Sequence, residues 1–475
     1  MRILSSESRA DVWLAKAQYN QLKDDQGHLS KESTVSSQVE MEIAKDVPRT
    51  RTELLEACGG EEPLFAVLRR LAAVEPRIGY CQGLNSVGAV ALSALTDPND
   101  SFLFLIWLVR RNLGYYTGTM AMMLVHARIA EDLLSFYLPT LSDHMKRAGV
   151  HARDLFAPWL ICQFIDSPVA FPDCLKVLDL VVAREKEAPF LVCLGMIAQL
   201  SEKLLACRDQ EEILSTVLHV LPSSIDVDDL CRWVILEYQR LEDDLGHHIA
   251  SLEQMHRAHV LQESLRLPSG TSKKIHRLTG VDEKYLQVLW TCFLKSDPWK
   301  ILIDGVISSD ANFCEAFTSV VFRAEKKKWR GHGVLSGVMS RMIQIASSSG
   351  QDYISFVDFV NLIQMFTEDS HRKERLKFCY RFCDFDGDGF IDSRDLSRFA
   401  TMFVRMYDGD GIPVGLEPQF FCEIAFEKFG QKQDGRTVLD FQSFCNVAVL
   451  HPYILKFFML DEILSGGLHN IDFGK

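Results

Sequence analysis

Two polar side chains near the start of the chain have the types and surroundings needed for chemistry in a site supplied by another protein. Arg49 follows a proline, which disfavours helix at the preceding residue, so a helix is expected to end near Asp46 and leave Arg49 at its boundary. Gln82 lies between Gly79 and Gly83, and glycine tolerates unusual dihedral angles and close backbone approach. Both side chains are therefore candidates for projection into a partner's active site.

Helices are expected to position both residues. Asn85 is a favoured N-cap residue, so we predict that a helix begins there, and a first helix is predicted to begin near Ser8 and to carry Trp13. Helical spacing of apolar residues dominates from residue 50 onward, and no convincing series of alternating strand segments interrupts it. It continues through residues 154–164, 171–182, 188–207, 211–220 and 228–241. The first half is predicted to be all-α.

Composition limits the classes of protein that fit. The 475 residues are 47% hydrophobic and 24% charged, which is typical of globular protein. The net charge of -13 argues against nucleic acid as the main partner, since phosphate binding needs a concentrated basic surface. The 13 cysteines are scattered without a regular framework, which indicates reduced intracellular thiols. The N-terminus lacks the apolar run of a signal peptide, and the apolar stretches are too short for membrane spans.

Three motifs, in order, resemble the signatures of the TBC domain, the Rab GTPase-activating family. They are RADVW at residues 9–13, IxxDxxR at 43–49 and YxQ at 80–82. The segments APW at 157–159 and KVLD at 176–179 are similar to later landmarks of the same domain. The resemblance covers roughly the first half of the chain and departs from the family at Leu178, where tryptophan is frequent.

The resemblance implies a function for the two projecting residues. Arg49 would neutralise charge on the phosphoryl oxygens of GTP bound to a Rab-type GTPase, and Gln82 would orient the attacking water. The chain would then be a GTPase activator that supplies fingers in trans, and not an independent hydrolase. No nucleotide loop, metalloprotease motif or nucleophile elbow appears in the sequence.

The resemblance also implies supporting roles for other motif residues. Asp46 would be a structural or orienting residue, and Tyr80 would support the loop that carries Gln82. Arg9 and Trp13 would form a pair that holds the fold. Since the first motif begins unusually near the N-terminus, an N-terminal portion or targeting domain is expected to be missing.

A second group of oxygen-bearing residues lies at 384–395. Calcium takes six to eight oxygen ligands, and a twelve-residue loop supplies them from positions 1, 3, 5, 7, 9 and 12. The expected ligands are Asp384, Asp386, Asp388, the carbonyl of Phe390, Asp392 directly or through water, and Asp395. The loop resembles an EF-hand, with amphipathic helices on both sides. The aspartate at the last position has a shorter arm than the usual glutamate, so weaker calcium binding or tolerance of magnesium is expected.

EF-hands occur in pairs, and Ile391 is expected to form a short strand against a partner loop. Residues 432–443 fit that partner, but Lys432 and Ser443 remove essential oxygens, so the loop is predicted to be structural. A degenerate hand is predicted at 347–358, with 281–317 as its partner. Only one loop therefore has the chemistry to bind an ion.

These patterns predict an all-α chain in which a helical TBC domain precedes EF-hand helix-loop-helix pairs. The predicted parts are a TBC domain at 1–240, a helical linker at 241–282, a degenerate pair at 283–366, an EF-hand pair at 367–450 and a tail at 451–475. The linker contains His247, His248, His256 and His259. We interpret these histidines as a solvated helix face and not as a metal site, because no cysteine or carboxylate arrangement completes one.

Alternative functions remain open from the sequence. The chain could be a calcium-dependent adaptor that binds a GTPase without turnover, or a regulatory subunit of another enzyme. Calcium control of the activity is a further hypothesis. The basic cluster at 323–330 is interpreted as a solvated helix end, with contact to an anionic membrane as the alternative. The expected location is cytoplasmic or peripheral on endomembranes, in vesicle trafficking.

Overall fold

The structure is a computed structural model and describes residues 6–17, 35–95, 97–167, 169–183, 186–220, 225–295, 297–307, 313, 316–317, 332–348, 352–367, 372–406, 425–433 and 435–450. The chain divides into two compact units. The first unit is Met1–Ser264 with Leu302–Gly305, and the second is Leu265–Ile301 with Val306–Lys475. The basic cluster at 323–330 and the tail at 451–475 lie outside the described residues.

In the first unit, every regular element within the described ranges is a helix, as predicted. A 3-10 turn at Val47–Arg49 and a π-helix at Thr216–Val220 accompany the α-helices. The α-helices are α1 (Ser6–Lys16), α2 (Ser37–Asp46), α3 (Thr52–Ala57), α4 (Glu61–Val74), α5 (Leu84–Ala94), α6 (Pro98–Arg111), α7 (Leu113–Tyr116), α8 (Ala121–Tyr137), α9 (Pro139–Arg147), α10 (Ala152–Ile161), α11 (Cys174–Ala183), α12 (Ala188–Ala198), α13 (Ser201–Ala206), α14 (Gln210–Ser215) and α15 (Val227–Ser264).

Local sequence explains why α6 begins and ends where it does. The Asp97 side chain accepts hydrogen bonds from the amides of Asn99 and Asp100, which satisfies two donors that no helical carbonyl reaches. Pro98 occupies the first turn, where a missing amide costs nothing. Two arginines in the last turn complement the helix dipole. The buried face of α6 then forms part of the core.

The core of the first unit is built on large aromatic side chains. Trp13 of α1 is fully buried and stacks on Phe104 of α6 with ring centroids 4.5 Å apart. Phe156, Phe164 and Phe190 are also almost fully buried. Large aromatic side chains dominate the energy of such cores. The first helix is therefore fixed by tertiary packing, as the sequence required.

The long helix α15 changes the expected domain boundary. The sequence analysis ended the first domain near residue 240, whereas α15 runs without interruption through that position to Ser264. Leu245, Ile249 and Val260, which follow residue 240, are buried, and α15 packs against α8 and α12. The physical reason is that the apolar residues of this helix continue beyond residue 240 and remain buried. The first unit accordingly extends to Ser264.

The predicted solvated face of histidines is wrong for His256. This side chain is buried, and its Nε2 lies 2.7 Å from Oδ2 of Asp132 on α8. His248 packs edge-on against Phe136 with ring centroids 5.2 Å apart, whereas His247 and His259 are exposed. Two of the four histidines thus belong to the packing between α15 and α8.

The second unit contains helices and two short antiparallel pairings. Its described elements are α16 (Ser269–Thr279), α17 (Glu283–Phe293), α18 (Pro298–Asp304, which ends in the first unit's segment), β1 (Val306–Ile307), α19 (His332–Ala346), β2 (Ile354–Ser355), α20 (Phe356–Thr367), α21 (Arg372–Cys383), α22 (Ser393–Met406), β3 (Gln431–Gln433), β4 (Arg436–Val438) and α23 (Phe441–Leu450). Strand β1 pairs with β2, and β3 pairs with β4 as a hairpin.

Short backbone bridges join loops of the second unit. Ile391 and Leu439 exchange two backbone hydrogen bonds of 3.0 and 2.9 Å in an antiparallel bridge. The Tyr380 hydroxyl lies 3.0 Å from the carbonyl of Leu439 and 2.7 Å from that of Gly389, so one side chain contacts both loops. In the upstream pair, Ile307 lies opposite Ile354. Each loop in these pairs is therefore joined to a second loop by a short backbone bridge.

No described helix is both long and apolar enough to cross a bilayer. The cysteines in the described ranges are free thiols, and most of them are buried.

Candidate functional site

Arg49 lies at the end of a helix, as predicted. Helix α2 ends at Asp46, and the 3-10 turn leads to Thr50, which has an extended conformation. Val47 is buried and anchors this turn, whereas 61% of the Arg49 side chain is exposed. Its Nη1 lies 3.3 Å from Oδ1 of Asp46. The guanidinium is thus directed by one carboxylate while most of its surface remains free for a partner.

Gln82 is exposed on a loop whose shape depends on glycine. Gly79 and Gly83 have φ values of +60° and +101°, which side chains rarely adopt. A Cβ on Gly83 would also lie 2.8 Å from the sulfur of Cys162. Beneath the exposed amide, Cys81 is buried, and burial raises the pKa of its thiol to about 11. The backbone therefore turns tightly against the core and presents Gln82 outward.

Tyr80 connects this loop to the arginine segment. Its hydroxyl lies 3.3 Å from Oδ2 of Asp46, the carboxylate whose other oxygen contacts Arg49. Burial, followed by the charge of Asp46, raises the pKa of Tyr80 well above its usual value. The phenol therefore stays protonated and can donate to the carboxylate. Asp46 consequently holds side chains from both segments.

Asn85 makes a further connection that the sequence analysis misassigned. Helix α5 begins at Leu84 with Gly83 as its N-cap, so Asn85 is the second helical residue and not the cap. Its side chain is turned inward and bonds to Thr50 and to the Asp46 backbone at 2.9 and 3.4 Å. The preference of asparagine for caps predicted a local role, but the positive φ of Gly83 moves the cap back by two residues.

A turn after α10 lies behind the Gln82 loop. The sequence predicted helix through Phe164, whereas α10 ends at Ile161, and Gln163 and Phe164 have φ values of 49° and 65°. Ser86 of α5 donates to Asp166 in this turn at 2.5 Å. The Arg51 guanidinium donates to two carbonyls of the same region, at 3.2 and 3.0 Å. This turn therefore contacts both finger segments, and no sequence motif indicated it.

Arg9 and Trp13 meet the aspartate of the KVLD segment. Arg9 makes two hydrogen bonds of 2.9 Å to the Asp179 carboxylate, and the Trp13 indole donates a third, also at 2.9 Å. All three side chains are buried. Burial raises the pKa of Asp179, while the bonds from Arg9 and Trp13 act in the opposite direction. The predicted fold-holding pair is thus a group of three that joins α1 to α11.

The carboxylates of the C-terminal loop converge in part. One oxygen each from Asp384, Asp386 and Asp388 lies within 4.8 Å of the others. Two ligands of a single calcium ion, each bound at about 2.3–2.6 Å, are separated by at most about 5 Å. The loop turns through glycines at 387 and 389 with φ values of +74° and +87°. An all-oxygen donor set at this spacing fits calcium or magnesium better than zinc.

The remaining predicted ligands have other contacts. Both Asp395 oxygens accept backbone bonds, from Phe385 and Asp392, at 3.1 Å. Asp392 is bonded to Arg394 at 2.8 Å, and Arg436 of the hairpin lies 3.4 Å from Asp388. Phe390 donates its amide to Asp388 at 2.9 Å. The structure thus groups three of the six predicted ligands, and the sequence analysis missed both arginines.

The first unit is helical and presents an exposed arginine and an exposed glutamine on segments that are joined through Asp46 and Tyr80. Residues 6–205 match the family model described as Rab-GTPase-TBC domain. TBC1 domain family member 2B of Xenopus tropicalis is 27% identical over 237 residues, which cover 47% of this chain and 25% of that protein. The same family member of Mus musculus is 30% identical over 205 residues, which cover 42% of this chain and 21% of that protein. The chain therefore spans about a quarter of the length of these relatives.

Two solved structures resemble part of the chain. The Chlamydomonas flagellar RabGAP TBC domain has a TM-score of 0.38 at 20% identity, covering 49% of this chain and 80% of that one. The Ypt/Rab-GAP domain of Gyp1p has a TM-score of 0.42 at 16% identity, and the match covers 50% of this chain and 90% of that one.

Proposed function

We propose that this protein stimulates GTP hydrolysis by a Rab-type small GTPase in its GTP-bound form. The observation that carries the proposal is the joined pair of segments that presents Arg49 and Gln82. Both side chains are exposed, and the Asp46 carboxylate contacts both the Arg49 guanidinium and the hydroxyl of Tyr80, two residues before Gln82. An exposed residue on a fixed backbone suits a group that must enter another protein's site at little entropic cost.

The chemistry of GTP hydrolysis explains what each finger contributes. Negative charge on the phosphoryl oxygens must be neutralised in the transition state, and the attacking water must be held in line. An arginine supplied in trans accelerates hydrolysis about 10³- to 10⁵-fold, which is roughly 4 to 7 kcal/mol of barrier. Arg49 fills this role, and the Gln82 amide, which can both donate and accept, orients the water.

The contacts of Asp46 support an orienting role for this residue. Its carboxylate limits the rotation of the Arg49 side chain before the GTPase arrives, because Oδ1 lies 3.3 Å from the guanidinium. An ion pair this exposed is weak in water, with a free energy of about 0–1 kcal/mol. Arg49 can therefore leave Asp46 for the phosphate without a large penalty.

The test is single-turnover GTP hydrolysis by a panel of GTP-loaded Rab proteins with wild type, Arg49→Ala and Gln82→Ala. We expect stimulation of at least one Rab by wild type and loss of most of it in either variant. Arg69→Ala and Gln38→Ala are matched controls, since both residues are exposed in the first unit and pair with nearby glutamates. Full stimulation by a folded Arg49→Ala protein would refute the mechanism, and stimulation lost equally in the controls would indicate general damage.

We also propose that the loop at 384–395 is an EF-hand site for calcium, or magnesium, paired with the structural loop that contains Leu439. The convergence of Asp384, Asp386 and Asp388 and the bridge from Ile391 support this proposal. Bound calcium would supply a fixed divalent charge that joins the entering and exiting helices. Calorimetric titration should show one site that Asp384→Asn removes, with Asp352→Asn in the degenerate loop as the control.

Calcium control of the activity is the finer part of this proposal. Ion binding would rearrange the helices around the loop and change how the second unit acts on hydrolysis. Stimulation of a responsive Rab should differ between calcium and chelator in wild type but not in Asp384→Asn. Equal rates under both conditions would reject calcium control and leave the finger chemistry intact. With a Rab as partner, the protein would act in vesicle trafficking at the cytoplasmic face of endomembranes.

A further inference from the structure

Asn85 has a buried side chain in a helix that does not need it as a cap. It is 7% exposed and lies one turn from the exposed Gln82. A buried amide is costly unless its donors and acceptors are paired. The hydrogen-bond partners of this amide therefore indicate its structural role.

Both amide hydrogens and the oxygen of this side chain have partners, and the partners come from both finger segments. Its Nδ2 donates to Oγ1 of Thr50 at 2.9 Å and to the Asp46 carbonyl at 3.4 Å. Its Oδ1 accepts from the amide of Gly83 at 3.2 Å and lies 3.4 Å from the Tyr80 hydroxyl. Both donors are therefore paired and the oxygen accepts from Gly83, while the single Tyr80 proton is shared between this oxygen and Asp46.

The partners flank the two exposed residues. Asp46 and Thr50 stand on either side of Arg49 along the chain, while Tyr80 and Gly83 stand on either side of Gln82. Asp46 is the last residue of α2, so the bond from Asn85 adds a side-chain donor to the carbonyl at this helix end. One buried amide consequently connects the four residues that bracket both fingers.

We propose that Asn85 is a positioning residue that fixes the separation of Arg49 and Gln82. This inference rests on the proposed function, because the separation matters only if both side chains act on one substrate. The amide contacts neither finger side chain in the described structure and acts through the backbone on each side. Aspartate in its place would lose both donors and bring a second negative charge towards Asp46.

The experiment measures hydrolysis by a responsive Rab at varied concentrations of wild type, Asn85→Asp, Thr50→Val and Thr50→Ser. Misplaced reacting groups lower the rate by on the order of 10²-fold for about 1 Å. We expect Asn85→Asp and Thr50→Val to lower kcat about 10- to 100-fold with little change in KM, since docking depends on the exposed surface. Thr50→Ser keeps the hydroxyl acceptor and should retain most of kcat.

Hydrogen exchange gives a second readout that does not depend on activity. Amides at 46–50 and 79–83 should exchange faster in Asn85→Asp, while α11 stays protected. Ser93→Ala is the matched control, because Ser93 lies on the same helix and bonds only locally, to the Val90 carbonyl at 3.0 Å.

The outcomes separate this inference from the proposed function. Wild-type kcat in Asn85→Asp, a defect confined to KM, or equal losses in Thr50→Ser and Thr50→Val would overturn the positioning role while the finger mechanism stands. Absence of stimulation by wild type across the whole Rab panel would overturn the proposed function, and the inference with it.

Discussion

The indole Nε1 of Trp13 donates a hydrogen bond of 2.9 Å to Oδ1 of Asp179, a residue 166 positions later in the chain. Arg9, one helical turn before Trp13, binds both oxygens of the same carboxylate. A buried charge pair of this geometry stabilises the fold mainly because each charge would be costly alone. The contact therefore couples the position of α1 to that of α11.

Removal of one charge from this group should be more damaging than removal of both. Asp179→Ala leaves the Arg9 guanidinium buried without its partner and should lower the free energy of unfolding by about 3–5 kcal/mol. The double variant Arg9→Leu/Asp179→Leu should lose less. Urea unfolding of the protein, monitored by hydrogen exchange in the first unit, measures the free energy of unfolding of both variants. Arg69→Ala, which breaks an exposed pair with Glu40, should change the free energy of unfolding by less than about 1 kcal/mol.

A methyl group at Gly83 should distort the Gln82 loop. Gly83→Ala combines a φ of +101° with a Cβ 2.8 Å from the Cys162 sulfur. Gly60 has the same φ, but a Cβ there meets nothing within 4 Å. We expect Gly60→Ala to cost about 1–2 kcal/mol of backbone strain with stimulation retained, and Gly83→Ala to lose stimulation as well. Partial recovery of stimulation in the double variant Gly83→Ala/Cys162→Ala would identify the sulfur contact as the cause. Equal stimulation by Gly60→Ala and Gly83→Ala would contradict this explanation.

Acidification should weaken the first unit through His126. Its Nδ1 lies 2.5 Å from the Tyr115 hydroxyl, and the ring packs against Phe190. Burial, with contributions from two arginines, lowers the pKa of His126 from 6.5 to about 4. The folded state then binds fewer protons than the unfolded chain between these values, so the stability present above pH 6.5 is lost as the pH falls towards 4.

The expected slope is about 1.4 kcal/mol per pH unit, measured by urea unfolding at pH 7, 6 and 5. His126→Gln keeps an acceptor for Tyr115 and cannot titrate, so it should show a smaller slope than wild type. The exposed His259 provides the control substitution, His259→Gln. An unchanged slope in His126→Gln would mean that other groups cause the acid sensitivity.

Arg436 should weaken ion binding at the aspartate loop. Its guanidinium lies 3.4 Å from Asp388 and 3.8 Å from Asp392, so it partly neutralises carboxylates that a cation needs. The side chain is half exposed, which limits the interaction to less than about 1 kcal/mol. Arg436→Gln should therefore raise calcium affinity by no more than about fivefold. Lys432→Gln removes the same charge from the neighbouring strand and should have a smaller effect in the same calorimetric titration.

Local rules predicted the features that depend on a few neighbouring residues. The proline before Arg49 ended α2 at Asp46, and glycines placed Gln82 on a loop. The apolar residue at 391 indicated a bridge, and that bridge is formed with Leu439. For the helix end and the Gln82 loop, the determining residues lie within about one turn of helix, and for Ile391 the position within its own loop was sufficient.

Features that depend on distant residues were not predictable in the same way. The partners of Asn85 lie up to 39 positions away in the chain, so its preference for caps was misleading. His256 is polar and sits in a charged segment, yet its burial is decided by Asp132 on another helix. The turn at Gln163 and Phe164 has positive φ at residues that rarely adopt it, and tertiary contacts alone select that shape.

The uninterrupted course of α15 has a practical consequence for work with the isolated N-terminal unit. Its 38 residues span about 57 Å. Truncation at residue 240 would keep every motif residue yet remove the buried Leu245, Ile249 and Val260. The apolar surface that they cover would become exposed to water and prone to self-association. A soluble N-terminal fragment should therefore end after Ser264.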